Sequence, residues 1–465
     1  MKLFPYISRK LSQSWISSNS AGKFYLSNSP LSKIADHKDT HNRLLHAGMG
    51  YLKADDIYNN GYDFDQMRRN FIPNKLNYFI IIPTLRCNLN CTYCQVSRAN
   101  EDAVGYDWSE ENFNNFLRFF DKYAGDRPKV EIQGGEPLLV FHKLLPMFEE
   151  LRRLRSKCEI VICTNLQNLP KNFIEDCKDH SLYLSSSLDG PSDIHNKNRN
   201  QDESSTSKFL KNLYLCIDEL GLEKVSLLPT VTSFDILDDI CQQYRDLGLN
   251  EIFMRPVNYQ GFARKKHKHS KSLADDWIEC YLSFLDGLFA SNEKSETKLR
   301  ETYFSIHANR IFDQTYNSHV DFRNPNPVGQ DYVVVNYNGE IFPTDEARML
   351  ERIGVINLSI GNLKTGFDNE AIDKLNGLSK LENYEQCQVC AYKPFCGIDI
   401  VDLISKHGTL DLNMHETDHC KIHMKIFDYI FEKIQRAEPV FLRNLNFSLT
   451  GVYEETHITI GKVHD

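Results

Sequence analysis

Between residues 78 and 255 six β-rich runs alternate with five helical patterns, cysteines gather after the first of those runs and again near the far end, and the first 76 residues follow neither rhythm. These observations predict an α/β fold: a partial (β/α)6, TIM-like barrel with a small α+β N-terminal unit and a C-terminal cysteine-rich extension. The chain has 465 residues, 41% hydrophobic and 25% charged. At roughly 150 residues per unit that length suits about three units, and the composition excludes a disordered chain.

In order along the chain, residues 1–76 form the small unit. Trp15-Ile16-Ser17 and Lys23-Phe24-Tyr25-Leu26 flank the turn-forming Asn19-Ser20-Ala21-Gly22 as a hairpin, and a helix is expected over 31–47. The barrel core, 77–260, takes strands at 78–83, 129–133, 159–164, 183–188, 224–231 and 251–255, with helices at 109–123, 142–155, 171–179, 207–220 and 235–247. In such an array the loops at the carboxyl ends of the strands converge on the ligand site. A helical connector, 261–332, opens with the basic run Arg264-Lys265-Lys266-His267-Lys268-His269-Ser270-Lys271 and holds a helix over 273–292. That run reads as a solvated loop or as a charge-steered dock for an acidic peptide. The extension, 333–437, begins with Asn338-Gly339 between Val333-Val334-Val335 and Ile341-Phe342, a type I′ hairpin, and ends in a helix over 421–436; 438–465 is a tail.

Charge and apolar content exclude several functions. Lysine and arginine total 54 against 63 acidic residues, a net charge of −9 that argues against nucleic acid as a partner. The longest apolar run, Phe79-Ile80-Ile81-Ile82, is far short of the roughly 18 residues of a membrane span. Met1-Lys2-Leu3-Phe4-Pro5 opens no apolar signal core, so a cytoplasmic location is expected. Thirteen cysteines, an odd number, then favour metal or redox chemistry over disulfides. Cys158, Cys163, Cys177, Cys216, Cys241 and Cys280 fall within apolar patterns and read as small packing residues.

The other seven carry the chemistry. Cys87, Cys91 and Cys94, spaced C-x3-C-x2-C, follow the first strand, and three soft sulfur donors in one loop suit an iron–sulfur cluster or zinc. Three is one fewer than a closed structural site uses, which leaves a coordination position open for catalysis. A zinc loop completed by a distant histidine is the alternative. With Tyr93 before the last cysteine, this loop resembles the signature of the radical S-adenosylmethionine (SAM) superfamily, over about residues 78–260. Gln133-Gly134-Gly135-Glu136-Pro137 after the second strand is similar to that family's Gly-Gly-Glu-Pro element, which contacts the methionine amino group. Glycines allow close backbone approach, a carboxylate can pair with an ammonium, and proline fixes the turn. The resemblance also places Asn165, Ser187 and Asp189 near the cofactor, the latter two by the ribose, and Arg199 at its carboxylate. It implies a 4Fe–4S cluster that binds S-adenosyl-L-methionine and cleaves it reductively to a 5′-deoxyadenosyl radical, which takes a hydrogen atom from the substrate.

Cys387-x2-Cys390-x5-Cys396 with Cys420 supplies four further thiolates and resembles the SPASM extension of peptide- and protein-modifying enzymes. Thr344 and Ile400 stand where that pattern would have more cysteines, so one auxiliary 4Fe–4S cluster is implied. A zinc knuckle using His415, His419 or His423 is the alternative. Asp345 corresponds to the aspartate base of sulfatase-maturing relatives. Cys163-Thr164-Asn165-Leu166, Ser187-Leu188-Asp189-Gly190-Pro191, His195-Asn196-Lys197-Asn198-Arg199 and Asp345-Glu346-Ala347-Arg348-Met349-Leu350 look like the B-type maturase family of the His-Xaa-Ser system, over about residues 20–430. That resemblance implies a short precursor peptide as substrate, a flavodoxin- or ferredoxin-type electron donor, a second radical SAM maturase as neighbour, and an N-terminal unit that is either a peptide dock or a barrel cap. Oxidation of a protein serine or cysteine is the rival activity, and a non-catalytic zinc or iron–sulfur scaffold the rival class.

Overall fold

A computed structural model of the chain describes residues 1–53, 55, 57, 75–313 and 328–454. Six parallel strands lie in one sheet in the order Val225–Leu228, Tyr183–Ser187, Glu159–Cys163, Ala124–Ile132, Leu76–Ile81 and Tyr332–Val335. Glu110–Tyr123, Phe141–Leu154, Phe173–Asp179 and Glu203–Leu220 are the intervening helices of the first five. Ser109 starts the first of them by accepting a bond from the Asn112 amide, and Phe116 and Phe120 on its inner face pack on Phe79. Along Lys129–Ile132, Val130 and Ile132 are fully buried while Lys129 and Glu131 point to the barrel interior, so the period of two separates a core face from a cavity face.

The strand expected over 224–231 breaks at Pro229, which has no N–H for the ladder, into Val225–Leu228 and Thr230–Val231. The sixth expected strand leaves the main sheet. Glu251–Ile252 pairs with Arg300–Glu301, and Arg255–Pro256 pairs with Thr230–Val231. Tyr332–Val335, expected as one arm of a hairpin in a separate extension, is instead the parallel neighbour of Leu76–Ile81 and then turns into Glu340–Phe342. That turn is a three-residue loop and not type I′: of its residues Gly339 alone has a positive φ, +84°, as a glycine bulge requires.

The N-terminal unit is a three-stranded antiparallel sheet, Tyr6–Lys10, Trp15–Asn19 and Phe24–Ser27, of which the first strand was not legible. The helix expected over 31–47 is two, Leu31–Ile34 and Lys38–His46. The expected peptide-docking function of 1–76 lies partly outside the described residues. This sheet packs on the cysteine-rich region: Phe24 meets Phe395 and Phe431 edge-on, and Arg9 forms two bonds to Asp428, at 2.8 and 2.7 Å. The expected tail contains a helix, Pro439–Thr450, whose Phe441 packs on Phe289 of Ala274–Lys294 and Phe304 of Thr302–Phe312. Among the described residues no helix is long and apolar enough to cross a membrane.

Candidate active site

The carboxyl ends of the parallel strands open into a cavity of about 730 Å³, bordered by Cys87, Cys91, Cys94 and Tyr93 and by Asn165, Ser187 and Arg199. The cysteine loop is held by backbone contacts from three directions. Gly135 donates to Thr84 and Glu136 to Arg86, Thr92 donates to Asn198, and Phe262 donates to Cys94. Gly134 and Gly135 are required by that closeness: an added Cβ would stand 2.2 Å from the Thr84 carbonyl oxygen at Gly134 and 2.2 Å from that of Arg86 at Gly135, and Gly134 also has φ +135°. Burial pushes the Cys87 thiol up to about 12 and the Cys91 thiol up to about 11, so without metal both hold their protons.

Glu136 and Pro137, expected at the cofactor, are not among the residues that line this cavity. The Glu136 side chain is 3% exposed and accepts from Leu138 N, Thr164 Oγ1 and Asn165 N at 3.0, 2.7 and 2.8 Å. Those bonds tie the carboxylate to the next strand end. Asp189 is also withdrawn. It is fully buried and accepts from Tyr93 Oη at 2.6 Å, Arg199 Nε at 3.3 Å and Thr230 N at 3.1 Å. Its place is behind the wall, orienting Tyr93 and Arg199, while Ser187 itself borders the cavity. Asn165 donates to Asn88 Oδ1 at 2.8 Å and lies 3.9 Å from the Cys87 sulfur.

Asp345 also lines the cavity, at the start of the helix Asp345–Arg352, capped by Thr344. Arg348 Nε donates to it at 2.8 Å. Sequence reasoning missed the cavity floor. Glu131 accepts from Tyr78 Oη at 2.6 Å, from Gln133 Nε2 at 2.6 Å and from the Cys163 thiol at 3.3 Å. Cys163 is therefore a cavity residue, and Cys280 is exposed, whereas Cys158, Cys177, Cys216 and Cys241 are buried as expected. The missed signal is the polar alternation Lys129, Glu131, Gln133 on a parallel strand, where both faces of an ordinary core strand would be apolar.

Cys387, Cys390, Cys396 and Cys420 line a second pocket together with His415, His419 and His423. Burial raises the Cys387 thiol to about 11 and the Cys420 thiol to about 12. Among the described residues, the one group of three donors that all lie within 4.8 Å is Cys396, His419 and His423. Neither the N-terminal triad nor the four cysteines converge that tightly, as ligands of a single zinc ion would; wider spacing suits thiolates on separate irons of a cluster. Of the three histidines considered for a zinc knuckle, two approach Cys396, and His415 is outside that group.

The model of the radical SAM superfamily matches residues 81–247. That stretch is thus similar to the radical SAM superfamily. The family's cofactors are S-adenosylmethionine and a 4Fe–4S cluster, and the triad borders the cavity of this stretch. The chain is 21% identical over 382 residues to a cysteine-type anaerobic sulfatase-maturating enzyme of Clostridium perfringens, a match that covers 75% of this chain and 94% of that one. It is 34% identical over 240 residues to a GTP 3′,8-cyclase of Campylobacter jejuni, covering 50% and 58%. In fold, this stretch and its flanks are similar to anSMEcpe with bound AdoMet and Cp18Cys peptide, at a TM-score of 0.59 and 19% identity over 77% of this chain and 98% of that one. They are also similar to Streptococcus suis SuiB bound to precursor peptide SuiA, at 0.54 and 16% over 90% and 100%.

Proposed function

We propose that the chain is a radical SAM maturase that abstracts hydrogen from a ribosomally made peptide to install a crosslink or a related modification. The observation that carries this is the pairing of a three-thiol site at the mouth of a polar barrel cavity with a separate four-thiol pocket. Cys87, Cys91 and Cys94 would hold three irons of one cluster and leave the fourth for the cofactor. When bound there, S-adenosylmethionine supplies a hydrogen-abstracting 5′-deoxyadenosyl group. Asn165, Ser187 and Arg199 offer polar groups to its ribose and carboxylate, with Tyr93 and Arg199 kept in place by Asp189. Asp345, which also lines the cavity, would accept the proton that a substrate loses on oxidation. Cys387, Cys390, Cys396 and Cys420 would hold one auxiliary 4Fe–4S cluster. The fold likeness to SuiB with its bound peptide supports a precursor peptide as partner, and a flavodoxin- or ferredoxin-type protein would supply electrons.

Anaerobic reconstitution with iron and sulfide tests this directly. About eight irons per chain are expected, four for each cluster. Reduction with S-adenosylmethionine should release 5′-deoxyadenosine in the wild type and not in Cys91→Ala; equal release, or none from either, would sink the proposal. The match to the sulfatase-maturating enzyme favours a second reading, oxidation of a serine or cysteine in a protein substrate. An aldehyde product trapped by hydrazine selects that reading, and loss of two hydrogens without a trappable carbonyl selects the crosslink.

A further inference from the structure

We propose that His423 is a positioning residue of the auxiliary site: its imidazole N–H bonds the Cys396 sulfur, and with His419 it forms the wall between that site and the substrate cavity. The proposal rests on reading Cys387, Cys390, Cys396 and Cys420 as ligands of an auxiliary cluster. His423 is 3% exposed, and its Nδ1 lies 3.5 Å from Cys396 Sγ. A metal-bound cysteine is a thiolate and can only accept, so in the loaded protein Nδ1 carries the proton. The ring is held from both sides. His419 lies with its centroid 4.0 Å away and donates from Nε2 to the Gly397 carbonyl at 2.9 Å; His307 lies at 4.9 Å and donates from Nδ1 to the Tyr303 carbonyl at 2.9 Å. Arg310 adds bonds to the Phe395 and Cys396 carbonyls at 2.5 and 3.3 Å, bringing a fixed positive charge to the same segment.

His419 and His423 are the two residues that border both the four-thiol pocket and the adjoining cavity of about 240 Å³. That cavity also touches Phe253, Arg255 and Glu346, which line the active-site cavity as well. The histidine pair is thus the boundary between the auxiliary site and the space that leads to the radical SAM centre. Hydrogen bonds to cluster sulfur delocalise its charge and raise the reduction potential, and a packed aromatic wall keeps water from it. Cys396 therefore receives both influences on the side where His419 and His423 border the adjoining cavity.

The test uses the full chain with Cys87, Cys91 and Cys94 all replaced by Ala, so that iron and sulfide load only the C-terminal site. Redox titration followed by electron paramagnetic resonance should show a lower midpoint potential in His423→Leu, and recovery of most of the difference in His423→Gln, which keeps an N–H. Labelling the parent with 15N-histidine should give a weak nitrogen coupling of the kind transmitted through a hydrogen bond. Equal potentials in parent and His423→Leu overturn the inference while leaving the auxiliary cluster intact, and so does the strong coupling of a directly ligating nitrogen, which the tight Cys396, His419 and His423 group would give with an ion of its own. Should His423→Leu fail to load, the nitrogen coupling of the parent decides alone. A parent that takes up no iron removes the auxiliary cluster and this inference with it.

Discussion

Asp189 shows how much one side chain can organise. With no exposure to solvent it takes bonds from a phenol, a guanidinium and an amide, and all three donor residues border the cofactor cavity. Replacing it with Asn leaves Arg199 buried without its counter-charge, which costs about 3 kcal/mol by the usual penalty for breaking a buried pair. Asp189→Asn should therefore shift the denaturant midpoint downward and weaken S-adenosylmethionine binding, both measurable on the reconstituted protein. Next to it, His195 stacks on Phe209, accepts from the Asp189 amide, and is pushed down to about 4 by burial and then by Arg199. Between about 4 and the ordinary value near 6.5 the unfolded chain binds the extra proton, so stability falls as pH drops through that window, by up to about 3 kcal/mol. Thermal melts of wild type and His195→Asn from pH 7 to 4 should show a shallower decline in the variant; parallel curves would contradict it. At this scale the sequence revealed which residues gather and not which bonds some of them make. Glu136 stands in a recognisable motif, but its bonds go to Leu138, Thr164 and Asn165, and which of two available partners a buried carboxylate takes depends on a strand end 28 residues away.

At the scale of elements, apolar runs of strand length bounded by helix caps located five of the six long parallel strands. The failures have local causes. Pro229 interrupts a ladder that a hydropathy reading extends through it, the run over 251–255 parts between Ile252 and Arg255, and the helix over 31–47 parts between Ile34 and Lys38. The loop from Gly134 to Glu136 makes a sharper prediction. Because a Cβ on Gly135 meets the Arg86 and Leu85 carbonyl oxygens at 2.2 and 2.4 Å, Gly135→Ala must displace the segment that enters Cys87. A displacement of about 1 Å in a reacting constellation lowers rate by on the order of 100-fold. Release of 5′-deoxyadenosine should fall accordingly, while iron at the C-terminal site stays unchanged.

For the whole molecule, the cysteine-rich region, the N-terminal sheet and the barrel share contacts that sequence spacing could not reveal, since Arg9 and Asp428 lie 419 residues apart. Arg9→Ala removes a two-pronged, half-buried pairing and should cost about 1 kcal/mol, read as faster proteolysis of the first 50 residues with iron content unaltered. The cavity's position was legible because strand ends and motifs coincide, and its floor was not, because Tyr78, Glu131 and Cys163 come from three strands and meet only through registration of the sheet. Tyr332–Val335 beside Leu76–Ile81 carries a final consequence. The barrel's opening strand is completed by chain made some 250 residues afterwards, so the catalytic half is no detachable cassette. A product that stops before Tyr332 would expose the edge of Leu76–Ile81 that this strand covers, where Ile82 donates to Val335, as an open, apolar template, and such a fragment should precipitate instead of behaving as a minimal enzyme.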